Sequence, residues 1–148
     1  MTKLALDLGT LTGFAIGDTR SAVISGTWDL RAKRFENVDT RFVKFRGHLD
    51  ATWRDFNPSA VYFEDVKRHL GTQAAHVYGG LKSHMAAWCI EHEIPYRGVS
   101  VGTLKKFWTN NARASKDDMM QAARVRGYEP ADDNQADALA LLTWSWSK

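Results

Sequence analysis

The chain has 148 residues, which suits one domain with a real core, and its 44% hydrophobic and 25% charged residues exclude a disordered polar chain. The net charge of +3 permits a polyanionic partner without demanding one. The one cysteine, Cys89, excludes an intramolecular disulfide and a cysteine-built zinc site; no apolar run is long enough to span a bilayer, and the chain opens directly on a strand with no signal peptide, which together suit the cytoplasm.

Leu4 to Leu8 reads as an apolar strand, Gly9-Thr10-Leu11-Thr12-Gly13 as a glycine-bounded turn, and Phe14 to Gly17 as a second strand. Asp18-Thr19 turns the chain into a third strand, Ala22 to Trp28. Connections this short imply antiparallel neighbours. From Asp39 to Phe56 the spacing of Phe42, Phe45, Leu49 and Trp53 predicts a helix, ended by Asn57-Pro58-Ser59. Ala60 to Glu64 is a continuous apolar run, expected as a central strand parallel to the first because a helix precedes it. A basic loop, Lys67 to Thr72, leads to a long helix from about Gln73 to Glu93, and Ile94 to Val99 forms a further strand whose proline suits an edge. Ser100 caps a short helix through Trp108, and Ser115-Lys116-Asp117-Asp118 has the capping-box start of another, broken at Gly127 to Pro130. Asp132 or Asp133 caps a last, strongly apolar helix. The order βββαβαβαα plus a final helix predicts an α/β fold with a mixed five-stranded sheet flanked by helices, without repeat or linker, as a single domain over residues 1–148.

Several acids sit where acids are costly. Asp7 lies in the first strand, Glu64 ends the central one, and Asp137 stands between Ala136 and Ala138 on the apolar last helix, four residues from Asp133 and on its face. Alternation sends Glu64 and Asp65 to opposite faces of the sheet, and Glu64 is the one expected beside Asp7. Asp132 and Asp133 are also well explained as charges that complement a helix dipole; Asp137 is not. Acids from separated segments meeting at one point make a hard oxygen site for Mg²⁺ or Mn²⁺. Lys67, Arg68, His69, Lys105, Lys106, Arg113 and Lys116 fall on loops and helix starts at the expected site end, a basic rim suited to DNA phosphates. Most of the six tryptophans, including Trp53, Trp88 and Trp144, have core spacing.

The stretch Asp7-Leu-Gly-Thr-Leu-Thr-Gly-Phe-Ala, then Tyr62-Phe63-Glu64, then Ala114-Ser115-Lys116, then Asp133-Asn-Gln-Ala-Asp137-Ala-Leu-Ala resembles the RuvC family of Holliday-junction resolvases, its shorter phage and phage-like members above all. The resemblance covers nearly the whole chain. It implies an RNase H-like fold, a homodimer, and two divalent ions per site, usually Mg²⁺, held by four acids that serve the nicking of opposed strands of a four-way DNA junction. Carried over by position, Asp7, Glu64 and Asp137 match three family acids, and Lys116 matches a lysine used beside the scissile phosphate. The position of the fourth acid is Asn134 here, so Asp133 takes that role, with Asp132 the second choice. Bacterial members carry a stacking aromatic three residues after the glutamate; that position is Lys67, which opens the substrate range to forks and flaps.

Rival readings are a sugar-kinase-like phosphate loop at Asp7-Leu8-Gly9-Thr10, an RNase H-like nuclease trimming ribosomal RNA precursors, and an inactive junction binder. The kinase needs two subdomains and a second phosphate loop, which this length does not supply; the precursor nuclease lacks this last helix pattern; and the inactive binder would retain buried acids to no purpose. The long helix, with Val77, Leu81, Met85 and Trp88 as one apolar stripe and the small or neutral residues Ala74, Ala75, His76, Gly79, Gly80 and Ala86 beside it, is the expected dimer interface.

Overall fold

Alternating polarity in the strands and 3.6-residue periodicity in the helices lay out the chain, which a computed structural model describes from Met1 to Lys148. Strands β1 (Lys3–Asp7), β2 (Leu11–Gly17) and β3 (Ile24–Asp29) form an antiparallel meander, with a 3₁₀ turn, Arg20–Ala22, before β3. Helix α1 (Thr40–Phe56) crosses to β4 (Ala60–Asp65), which pairs parallel with β1, and α2 (Thr72–Glu91) crosses to β5 (Tyr96–Ser100), parallel with β4. Helices α3 (Val101–Thr109), α4 (Lys116–Val125) and α5 (Asp133–Ser145) complete the chain. The sheet is five-stranded in the order β3-β2-β1-β4-β5, so β4 is internal and β5 is the edge. No helix is long and apolar enough to cross a membrane.

The sheet separates two cores. Leu4 and Leu6 of β1 and Val61 and Phe63 of β4 face α1 and α2, where Phe45, Leu49, Leu81, Met85 and Trp88 are wholly buried. The alternate residues face α3, α4 and α5, where Ala5, Ala15, Ala136, Ala138 and Ala140 let helix and sheet lie close. Helix α5 is apolar nearly all round because it lies between the sheet and helices α3 and α4.

Two expectations change here. The stripe Val77, Leu81, Met85 and Trp88 packs on the protein's own sheet, with at most 7% exposure at any of the four, so it cannot be an interface. Leu81→Glu or Met85→Glu therefore attacks the core, not an assembly. The turn after β1 is also shorter than the glycines suggest. Strand β2 starts at Leu11, and Gly13 pairs with Asp7 inside the ladder. A Cβ on Gly13 would overlap the carbonyl of Asn134, so this glycine serves the approach of α5 to the sheet. Gly80 does the same for α1 and α2, since its missing Cβ leaves room for the Phe42 ring.

The helix ends follow local chemistry. The Ser100 side chain accepts from Thr103 N, and Ser115 and Asp118 form a reciprocal capping box. Asn57 closes α1 in the left-handed region at φ 47°. Asp132 is the cap of α5, and its carboxylate accepts from Gln135 N.

Candidate metal centre and active site

Asp7 ends β1, Glu64 is the penultimate residue of the adjacent parallel β4, and both share the face that carries Ala5 and Tyr62. Helix α5 crosses that face and delivers Asp137 from its second turn. One carboxylate oxygen from each of Asp7, Glu64 and Asp137 lies within 4.8 Å of the others. Trans oxygens around one Mg²⁺ stand about 4.2 Å apart, so the set is sized for a divalent ion after small side-chain movement.

Protonation follows from this crowding. Burial raises the Asp7 carboxyl well above its usual range, and the neighbouring Glu64, Asp137 and Asp133 push it further. Burial, then Glu64 and Asp133, lift Asp137 to about 8, against the pull of Lys105 and Lys116. Burial also raises Glu64, which Lys105 opposes. A donor set of crowded, hard carboxylate oxygens fits a divalent metal ion, whose charge would offset the burial and mutual repulsion of the acids.

Asp65 points the other way and meets Lys67 at 2.9 Å and Lys82 at 3.8 Å, as the alternation of β4 requires. Asp133 stands beside the trio rather than within it, 3.6 Å from the Lys116 ammonium. Asp132 is engaged elsewhere: both its oxygens accept from Thr27 Oγ1, at 2.9 and 2.8 Å, besides the cap to Gln135.

The predicted basic residues divide. Lys105 and Lys116 act on the acids directly through their charge. Lys106 instead donates to the Asn110 carbonyl at 3.1 Å, and Arg113 is exposed in the loop before α4, where its backbone N–H donates to Asn111. Lys67 and Arg68 are exposed, and the His69 ring lies 4.8 Å from Tyr78.

Three residues enter that the sequence reading did not single out. Tyr78 donates to the Glu64 carbonyl at 2.9 Å and accepts from Val66 N at 3.1 Å, tying α2 to the end of β4. Thr12 is fully buried and donates to the Gly9 carbonyl at 2.6 Å, closing the turn after Asp7. Leu70 is 100% exposed on the loop after β4. Helical phase marks Tyr78 only as core, and the basic loop from Lys67 to Thr72 places Leu70 among polar neighbours without marking it for a role.

Compared by sequence, the chain matches no protein-family model and no curated protein. Compared by structure, it is similar to Thermus thermophilus RuvC in complex with a Holliday junction substrate, with a TM-score of 0.81 and 19% identity over 99% of this chain and 94% of the other. A second Thermus thermophilus RuvC structure gives a TM-score of 0.75 and 18% identity over the same shares. The yeast mitochondrial Holliday junction resolvase Ydc2 gives 0.68 and 14%, over 97% of this chain and 76% of the other. The fold is thus the RNase H-like architecture of the RuvC resolvases.

Proposed function

We propose that the chain is a metal-dependent endonuclease that nicks four-way junctions and other branched DNA. The observation that carries this reading is the convergence of Asp7, Glu64 and Asp137 on a fold whose structural neighbour is bound to a Holliday junction substrate. Asp7, Glu64 and Asp137, with Asp133 as the fourth acid, would hold two Mg²⁺ ions, for which Mn²⁺ substitutes. Such ions, when bound, stabilise the attacking and leaving oxygens of phosphodiester hydrolysis. The chain's own contribution is placement. Lys116 and Lys105 set positive charge where the scissile phosphate gains negative charge. Lys67, Arg68, His69, Lys106 and Arg113 hold the flanking backbone, and Leu70 offers an apolar tip that can wedge against base pairs at the branch.

Nicking two opposed strands of a near-symmetric junction calls for two facing sites, which supports a homodimer. With the apolar stripe of α2 buried, the outward line of His76, Gly79, Ser83, Ala87 and Ile90 is the face left for a second copy. The free, buried thiol of Cys89 suits a reducing cytoplasm, where we place the activity.

The test is cleavage of a mobile four-way junction with Mg²⁺, beside a Y-fork and a linear duplex of the same sequence. Paired nicks near the branch, with the duplex intact, are expected. An intact junction over a range of Mg²⁺ and Mn²⁺ concentrations would sink the proposal.

A further inference from the structure

The turn between β3 and α1 projects the most exposed aromatic of the chain, Phe35, at 92% exposure. This is a built turn. Leu30 N donates to the Thr10 carbonyl at 2.8 Å, which fixes the start of the turn on the hairpin that follows Asp7. The Glu36 carboxylate accepts from Lys33 N at 2.6 Å and from Lys44 Nζ at 2.9 Å, and the same ammonium donates to the Arg31 carbonyl at 2.9 Å. Arg31 is occupied by Asp29 at 2.7 Å. Glu36 is thereby spent on the frame of the turn. Lys33 and Arg34 make no ion pair and flank Phe35, with the Arg34 guanidinium 5.3 Å from the ring centre.

The turn also lies at the functional edge of the sheet. Strands β1, β3 and β4 run in one direction, so the segments after Asp7, Asp29 and Asp65 leave at one end. There Arg41, just beyond the turn, lines a cleft of ≈ 470 Å³ with Gly9, Thr10, His69 and Leu70. The turn that carries Lys33 and Arg34 and the loop after Glu64 that carries Lys67 and Arg68 thus leave the same end of the sheet.

An aromatic held out in water between unpaired cations fits a polyanion that also offers a flat face. Stacking on a base satisfies the ring whatever the base, and phosphates satisfy the cations. We propose that the β3–α1 turn is a second DNA contact, in which Lys33 and Arg34 bind backbone phosphates and Phe35 stacks on an unpaired base at the branch. This rests on the branched-DNA reading above and adds to it a residue that distinguishes a branch from plain duplex.

The test uses the full chain in Ca²⁺, with binding to a four-way junction carrying 2-aminopurine at the branch and to the matching duplex, followed by nicking in Mg²⁺. Phe35→Ala is expected to weaken junction binding about tenfold, to leave duplex binding unchanged, and to abolish the quenching of 2-aminopurine. Phe35→Trp should restore all three. The double change Lys33→Glu with Arg34→Glu should weaken both DNAs and lower the salt dependence of binding. If the unmodified chain binds and nicks the junction while Phe35→Ala matches it in affinity and quenching, the Phe35 contact is wrong and the branched-DNA reading stands. An equal loss on junction and duplex would likewise overturn base stacking. Should the unmodified chain neither bind nor nick the junction, the branched-DNA reading fails and this contact falls with it.

Discussion

Three acids within 4.8 Å repel one another, and only a bound cation or a proton relieves them. Asp7→Asn and Asp137→Asn should each reduce nicking at least a thousandfold while leaving junction binding in Ca²⁺ intact, and should raise the melting temperature of the metal-free protein. A nicking assay, a gel shift and calorimetry on the same samples check the three outcomes; retained nicking in Asp7→Asn would remove the metal centre from the mechanism. The neighbouring acids divide by role. Asp133→Asn is expected to cost far more activity than Asn134→Ala. Asp132→Ala should instead lower stability by about 1 kcal/mol through the lost cap and leave kcat near normal. A fall in kcat with unchanged stability for Asp132→Ala would reverse that assignment.

Between elements, the tightest joint is that of β2 with the start of α5. Gly13→Ala has no space for its methyl group and should destabilise the protein by about 3 kcal/mol, read as a shift in the urea midpoint. On α2, Gly79 and Ser83 face outward, and a Cβ on Gly79 meets nothing within 4 Å. Gly79→Arg with Ser83→Arg should therefore keep the fold and the melting temperature yet sediment as a monomer if two copies meet there; an unmodified chain that is monomeric alone and on DNA would remove the dimer. Local pattern made most of these elements legible. The periodicity of α1, the Ser100 and Ser115 caps and the alternation separating Glu64 from Asp65 each depend on neighbours within a few residues. What escaped depends on distant contacts. Whether the stripe of Leu81 and Met85 met the sheet or a partner is settled by packing, because periodicity gives a face but not what covers it. The purpose of Gly13 is set by Asn134, far along the chain. The trio of acids was legible because charge inside apolar runs is rare; the tether from Tyr78 was not, because a tyrosine in a core helix is ordinary.

For the whole molecule, the raised acids link stability to pH. Their folded values exceed the value of about 4 expected in the unfolded chain, and Asp137 reaches about 8. Between these limits the folded state binds more protons than the unfolded state, so stability falls as pH rises. The metal-free protein should melt highest near the acidic end of this window and lose stability progressively toward pH 8 and above. Saturating Mg²⁺ should flatten the profile, since the cation replaces the protons. A metal-free melting temperature that climbs with pH across this window would contradict the crowding of the acids.

The Lys3 ammonium donates to the Ser145 carbonyl at 2.6 Å, at the end of β1 away from Asp7, so the first strand and the last helix lie side by side along their length. During synthesis the ribosome therefore releases Asp7 and Glu64 long before Asp137. A nascent chain that ends before α5 lacks the third acid and the helix that covers Ala5 and Ala15. On the endonuclease reading proposed above, such a chain would have no complete set of acids to hold the ions, so competence would arrive only with the last helix.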